Sequence, residues 1–388
     1  MTPTVAYLSE GRLHIKEPEK PVREIPSHFA QTLKERLQQI HQRNEWKNQG
    51  RGAQFAGRAM GSPDLNLPAA MISSITSAST PGEVIYALRT DEIGGVFRIK
   101  TTGVEEHRLR HSQKMFIHYL CRHPATHKIA CSVDNSDGTS SLAVMEPDAS
   151  HLHELTEGDS LDIAPSWVPG TENDLIFQSA GLGRDREGLI IGLGPFAIEK
   201  LTGDTGEIET LLQDPKTDFL LPRLDGAGRL LYIRRPYKPP GQTSFWHSVW
   251  DAVMIPFRLL GALFAFLNAF SYLFSGKPLT RAGGPKSQNN ELRQMRIWGH
   301  LVHAKATLDT HKQSGDETPD LVPRDWELCR EEDGAETVLA RGVLYYDLGP
   351  ENSLVYTNGS GVFHLTADGK KNTLCKGRGI EQISILPG

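Results

Sequence analysis

Between positions 107 and 127 the chain gathers His107, His111, His118, His123 and His127 around Cys121, residue types from which zinc and related metal sites are built. A metal needs ligands that converge, and His123 and His127, four apart, would converge on one face of a helix. Pro124 follows His123 directly and apolar strand-like runs flank the pair, so histidines scattered over strands and loops are the simpler reading. The segment Asp134-Asn135-Ser136-Asp137-Gly138-Thr139 has the residue types of a calcium loop. Such a loop would also need an acid where Val133 stands and a glutamate where Val144 stands, which leaves a hairpin turn. No G-x-S-x-G elbow, no G-x-x-x-x-G-K-[ST] loop and no H-E-x-x-H pair is present, and Gly181-Leu182-Gly183 and Gly377-Arg378-Gly379 read as turns. The expectation is therefore a protein with no catalytic residues, no metal and no cofactor.

The elements that carry these residues belong to a chain of 388 residues with 38% hydrophobic and 23% charged, long enough for a sizeable core. A net charge of −5 argues against nucleic acid as a partner, because phosphate binding needs a concentrated positive surface. The charge is uneven: Arg229 to Arg296 is strongly basic, with only Asp251 and Glu291 as acids. Cys121, Cys131, Cys329 and Cys375 show no paired spacing and read as reduced thiols. The opening MTPTVAYLSEGRLHIKEPEK lacks the pattern of a secretory signal, so a cytoplasmic location is expected.

Short apolar runs recur at Val84–Leu88, Lys128–Ser132, Asp174–Gln178 and Arg229–Ile233, a period of about 45 to 55 residues that matches one four-stranded propeller blade. Further strands follow each run, such as Ser141–Met145, or Gly188–Leu193 leading to Lys200-Leu201-Thr202. Leu155-Thr156-Glu157-Gly158-Asp159-Ser160-Leu161-Asp162-Ile163-Ala164-Pro165-Ser166-Trp167-Val168-Pro169-Gly170, then Asp174-Leu175-Ile176-Phe177, resembles the TolB-like (WD40-like, PD40) repeat. Val168 and Gly170 depart from the usual Ser and Asp, and the loop is longer. Weaker copies stand at Cys121–Ala130 and Pro222–Tyr232. The resemblance implies an all-β, six-bladed β-propeller in which Asp162, Pro165 and Trp167 are architectural, and binding of protein partners through loops and channel mouth.

Counting strands supports six blades. Ser353–Tyr356 with Gly361–Leu365 forms another pair, and Trp326–Arg330 with Glu336–Ala340 supplies the outer strands of the blade begun by Arg229–Ile233. Val5–Leu8 and Ile383–Leu386 are left at the two ends, and pairing them would close the ring without an open sheet edge. The expected divisions are N-terminal strands at 1–26, a helical insertion and loop at 27–67, blades at 68–236, a second insertion at 237–323, and the remaining blades with closure at 324–388.

In the first insertion Phe29, Leu33, Leu37 and Ile40 recur at helical spacing after Ser27, a plausible N-cap, giving an expected amphipathic helix. In the second, Leu259 to Gly276 contains no charge and shows apolar side chains on every helical face. About 18 residues would make a helix of roughly 27 Å, marginal for a bilayer span. The expected membrane or partner contacts are Trp250, Phe257, Leu260, Phe264, Leu267, Phe270, Leu273 and Phe274, flanked by the basic Arg234, Arg235, Lys238, Lys277, Arg281 and Lys286. Covering the propeller's own surface or forming a dimer contact are alternatives for this segment. The leading expectation is a non-enzymatic scaffold for protein partners, peripherally attached to an anionic membrane surface or a membrane complex. The alternative is a small-molecule hydrolase, lactonase or lyase with a metal in the propeller channel.

Overall fold

The computed structural model describes residues 2–33, 35, 36, 39, 70–90, 93–113, 115–239, 295–297, 300–302, 318–349, 353–366 and 369–387. Contacts divide the chain into a larger unit, 1–237 with 306–388, and a smaller one, 238–305. In the smaller unit the described residues form one hairpin, Met295–Ile297 with His300–Val302.

The larger unit is built of four-stranded antiparallel blades. Blade 1 joins Ile380–Leu386 to Thr4–Ser9, Arg12–Lys16 and Arg23–Ile25. Blade 2 is Met71–Ser77, Glu83–Arg89, Ile93–Lys100 and Glu106–Gln113. Blade 3 is Phe116–Arg122, Ile129–Asp134, Ser140–Met145 and the short His153–Glu154. Blade 4 is Ser160–Trp167, Leu175–Arg184, Ala197–Thr202 and Glu207–Leu212, and one parallel bridge, Ser140↔Leu161, links it to blade 3. Blade 5 is Thr217–Leu224, Leu230–Pro236, Glu327–Glu332 and Ala335–Arg341; blade 6 is Tyr345–Leu348, Leu354–Thr357, Gly361–Leu365 and Lys371–Lys376.

The first strand of each blade touches the first strands of its two neighbours, which closes the cycle and makes these strands the wall of a central channel. Closure follows the expected pairing, with Val5↔Ile385, Ala6↔Ser384 and Tyr7↔Ile383 in register. The core lies between successive blades. Leu8, Leu13 and Ile15 of blade 1 pack with Ile75, Tyr86 and Phe97 of blade 2, and Val96 and Ile85 of blade 2 pack with Ile117 and Ile129 of blade 3. Close approach also explains a glycine: a Cβ on Gly94 would stand 1.6 Å from the Met115 carbonyl oxygen.

Of the two inserted helices expected from the sequence, only the start of the first falls among the described residues. In the first insertion, residues 28–33, 35, 36 and 39 are described as helical. There Ala30 N–H donates to Ser27 Oγ (3.1 Å), and Phe29, Ala30 and Leu33 pack on the core of blades 1 and 2. The rest of that segment, and the apolar run of the second insertion, lie outside the described residues. One strand reading also changes. Ile190–Leu193 is an extra strand paired with Leu182–Arg184, and the third strand of blade 4 is Ala197–Thr202. Ile198 and Leu201 are buried whereas Leu189, Ile190 and Ile191 are exposed, so the alternating segment took the core position and the unbroken apolar triplet did not.

Candidate functional site

The channel wall is interrupted in three consecutive blades. Tyr119 (φ 52°), Ala164 (φ 56°) and Leu221 (φ 54°) are left-handed, and each sits in a register break of a first strand. A left-handed residue with a side chain costs about 1–2 kcal/mol, so the surroundings must hold it. They do so across blade boundaries. Leu120 N–H donates to Ser74 Oγ of blade 2 (2.9 Å), and Leu221 N–H donates to Gln178 Oε1 of blade 4 (2.7 Å). Tyr346 of blade 6 donates its hydroxyl to the Leu221 carbonyl (2.6 Å). Pro165 and Pro222 follow two of these residues, where the broken ladder makes no demand for an N–H. That is the physical content of the proline in the repeat motif.

The hydrogen bonds from residues 120 and 122 to Ser74 and Thr76 advance together, so adjacent first strands run in the same direction and the channel has a starting end and a finishing end. Tyr119, Ala164, Pro165, Leu221, Arg223 and Tyr345 line a small cavity in the channel wall. Arg223 pairs there with Asp347 (3.2 Å), which also accepts the Ile385 N–H (2.7 Å). Burial raises the Asp347 carboxyl above its ordinary range, against the pull of Arg223. The arrangement ties blades 5, 6 and 1 together, and its charges are spent on one another.

The starting end carries polar groups of its own. Glu381 stands there on the closing strand, near the turn that carries Glu10. Glu381 is solvent-reachable, yet loss of hydration inside the walls, followed by repulsion from Glu10, pushes its carboxyl up to about 7. In blade 3 His118 Nε2 lies 2.8 Å from Asp134, which also accepts from Ser140 Oγ (2.7 Å). Burial acts to raise Asp134, but these two partners outweigh it and hold the carboxyl below its ordinary value. In blade 5 Asp218 takes Arg235 Nε at 2.9 Å and the Phe196 N–H at 2.9 Å, while the Arg235 guanidinium stacks 4.5 Å from the Trp326 ring.

Two of the residues expected to flank the apolar segment have acidic partners within the ring. Arg235 is 4% exposed and bound to Asp218, and Arg234 is held by Glu327 (2.6 Å) and by Glu336. Arg235 is thus buried and paired, whereas Arg234 is partly exposed and paired with two carboxylates. Lys238 is exposed. Trp250, Phe257, Leu260, Phe264, Leu267, Phe270, Leu273, Phe274, Lys277, Arg281 and Lys286 lie outside the described residues, among which no helix is long and apolar enough to cross a membrane.

The histidines are distributed rather than convergent. His123 Nε2 faces the Thr171 carbonyl (2.9 Å), and its Nδ1 accepts the N–H groups of Ala125 and Thr126, so both ring nitrogens hold a turn. His127 Nδ1 meets Arg122 (2.8 Å). Among the described residues no three His, Cys, Asp or Glu side chains surround a common point suited to a metal. Trp167 donates its indole N–H to the Cys121 carbonyl (2.9 Å) and meets the His123 ring edge-on, joining blade 4 to blade 3. Asp134 to Thr139 forms the turn between the second and third strands of blade 3.

No family model and no curated protein matches the sequence. Solved structures match in shape. TolB from Acinetobacter baumannii aligns over 99% of this chain and 67% of its own, with a TM-score of 0.50 and 10% identity. The fold is that of a TolB-like β-propeller. A chain of a nidogen/laminin complex (99% and 98% covered, TM-score 0.49, 10% identity) and the tricorn protease (96% and 33%, 0.47, 9%) also align. At such identities the likeness is one of fold alone.

Within this TolB-like propeller, sequence reasoning missed Glu381, the Arg223–Asp347 pair and the exposed hairpin of blade 4. Glu381 and Asp347 lie in apolar strand runs, which is the one signal that pointed to them: an acid inside a buried-looking strand. For the hairpin the signal was Leu189-Ile190-Ile191 between glycines, three consecutive apolar residues where a half-buried strand alternates.

Proposed function

We propose that this chain is a non-enzymatic propeller scaffold that binds protein partners at the starting end of its channel and is attached to a membrane, or to a membrane complex, through the insertion in blade 5. One observation carries the topological part of this reading. The chain leaves blade 5 after Leu230–Pro236 and re-enters it at Glu327–Glu332, adjacent antiparallel strands with Arg234 opposite Glu327. Departure and return thus lie at the same end of one blade. A segment that crossed a bilayer once would put the outer strands of blade 5, all of blade 6 and the closing strand on the far side, leaving strand edges unpaired. The apolar run must come back to the side it left, as an interfacial or re-entrant segment or within a partner.

The scaffold part rests on how the polar side chains are used. The charges of Arg223 and Asp347, and of Arg235 and Asp218, are paired with one another, and His123 holds a turn through both ring nitrogens. The experiment is mild-detergent purification of the full chain and of a variant lacking 245–275, with flotation on anionic vesicles. The reading expects the variant to stay folded and to lose both vesicles and co-purifying protein. Retention of both by the variant, or turnover in a lactonase and lyase screen abolished by His118→Ala, would overturn it.

A further inference from the structure

Blade 4 carries a device that propeller closure does not require. Its second strand runs on past the blade, and from Leu182 to Arg184 it pairs with Ile190–Leu193 to make a projecting hairpin. The projection is braced. Arg184 Nε binds Asp159 (2.6 Å), and its two terminal nitrogens reach the Gly188 carbonyl (3.0 Å) and the Asp137 carbonyl of blade 3 (3.2 Å). At the tip Asp185 Oδ1 accepts the N–H groups of Glu187 and Leu189, both at 2.9 Å.

On this held scaffold Leu189 is 62% exposed, Ile190 45% and Ile191 66%. Ile190 leans on Gly138, where an added Cβ would come within 2.6 Å of its methyl, while Leu189 and Ile191 are the more exposed members of the triplet. Gly188 to Gly194 contains no charge, although exposed strand edges are ordinarily guarded by one. The uncharged aliphatic run beside this braced turn gains nothing from exposure to water.

Chain connectivity points to what covers it. Tyr237, the last residue of the ring before the apolar insertion, donates its hydroxyl to the Leu193 carbonyl at the base of the hairpin. The hairpin and Tyr237, where the chain leaves the ring, thus share one rim of the propeller. We propose that Leu189, Ile190 and Ile191 form a second membrane-inserting element, which enters the apolar side of the bilayer interface and sets the tilt of the ring against it. This rests on the membrane attachment argued above. Asp185, Arg186 and Glu187 leave the turn with no net positive charge, so headgroup attraction does not drive its contribution; the difference made by Leu189 and Ile191 comes from apolar burial and persists at high salt.

The test compares the full chain, L189S/I191S and the 245–275 deletion by flotation on phosphatidylcholine–phosphatidylglycerol vesicles at low and high salt, with L189W emission as a local probe. The serine pair should lower partitioning on the order of tenfold at either salt, with near-ultraviolet circular dichroism unchanged because both side chains are exposed. L189W emission should shift to the blue on adding vesicles. If the full chain floats, the serine variant floats equally well and L189W does not shift, the hairpin assignment is wrong while the attachment stands. If the deletion floats like the full chain but the serine pair does not, the hairpin stands and the insertion reading falls. No flotation of the full chain overturns both. A serine variant that floats normally but loses a defined co-purifying protein makes the tip a protein site and overturns the lipid assignment.

Discussion

Val5 and Ile385 face one another in the blade that closes the ring, partners in one antiparallel ladder although they stand near opposite ends of the chain. The strand that carries Val5 is second of four, with Ile380–Leu386 on one side and Arg12–Lys16 on the other, so its backbone groups are bonded on both sides. Val5→Pro removes a ladder N–H and should cost about 3 kcal/mol or more. Removing residues 1–16 should do far more, by exposing two sheet edges. Thermal unfolding and size exclusion check this, and a truncated chain that remains monomeric with an unchanged Tm would contradict closure.

Trp167 joins blades 3 and 4 by packing and by one hydrogen bond, and the two effects separate by substitution. Trp167→Phe keeps most of the packing but leaves the Cys121 carbonyl without its donor, for a loss of about 1–3 kcal/mol. Trp167→Ala should cost about 3–5 kcal/mol. Denaturant midpoints measured with an unchanged m-value give both numbers.

Asp218 neutralises a buried guanidinium. Asp218→Ala leaves Arg235 charged and unpaired against Trp326 and removes the acceptor of the Phe196 N–H, which should destabilise by about 3–5 kcal/mol. Replacing both charges together, D218L with R235M, should recover much of that loss. A double variant as unstable as Asp218→Ala would show that the stacking on Trp326, rather than the charge, matters.

Glu381 should make stability fall as pH rises. Its carboxyl is raised from 4.5 to about 7 in the folded chain, so between those values the folded state holds a proton that the unfolded state has released. The contribution is full below pH 4.5, declines through the interval and is lost above about 7. Solvent reaches this side chain, so the effect is smaller than a buried group would give. Glu381→Gln should be the more stable protein at pH 8, with the advantage shrinking toward pH 5. Parallel pH–Tm curves for the two proteins would refute the assignment.

The parts of the fold legible in the sequence share one property: their burial is decided along the chain. Val84–Leu88, Ile129–Ser132, Leu175–Gln178, Leu230–Ile233, Leu354–Tyr356 and Val5–Leu8 lie in the second strands of the six blades, covered by a strand on each edge and a blade on each face. Such positions must be continuously apolar, so their spacing, and with it the blade repeat, can be read directly. First strands were harder, because the left-handed residues at Tyr119, Ala164 and Leu221 break their alternation. Outer strands such as Glu106–Gln113 are mostly polar and resemble loops.

What the sequence alone determined, then, was the number of blades, the shared closing blade and the same-end return of the chain in blade 5, all of which follow from local periodicity and the cost of an open sheet edge. Tertiary structure alone decided the fate of the polar and surplus apolar residues. Arg234 and Arg235 count as positive charge in a basic segment until Glu327, brought beside Arg234 by strand pairing, and Asp218 consume them. Leu189, Ile190 and Ile191 count as core until Ile198 and Leu201 occupy the buried register. A charge is free or spent, and an apolar side chain inside or outside, according to neighbours that the fold supplies from other blades, and a pattern read along one strand contains no term for them.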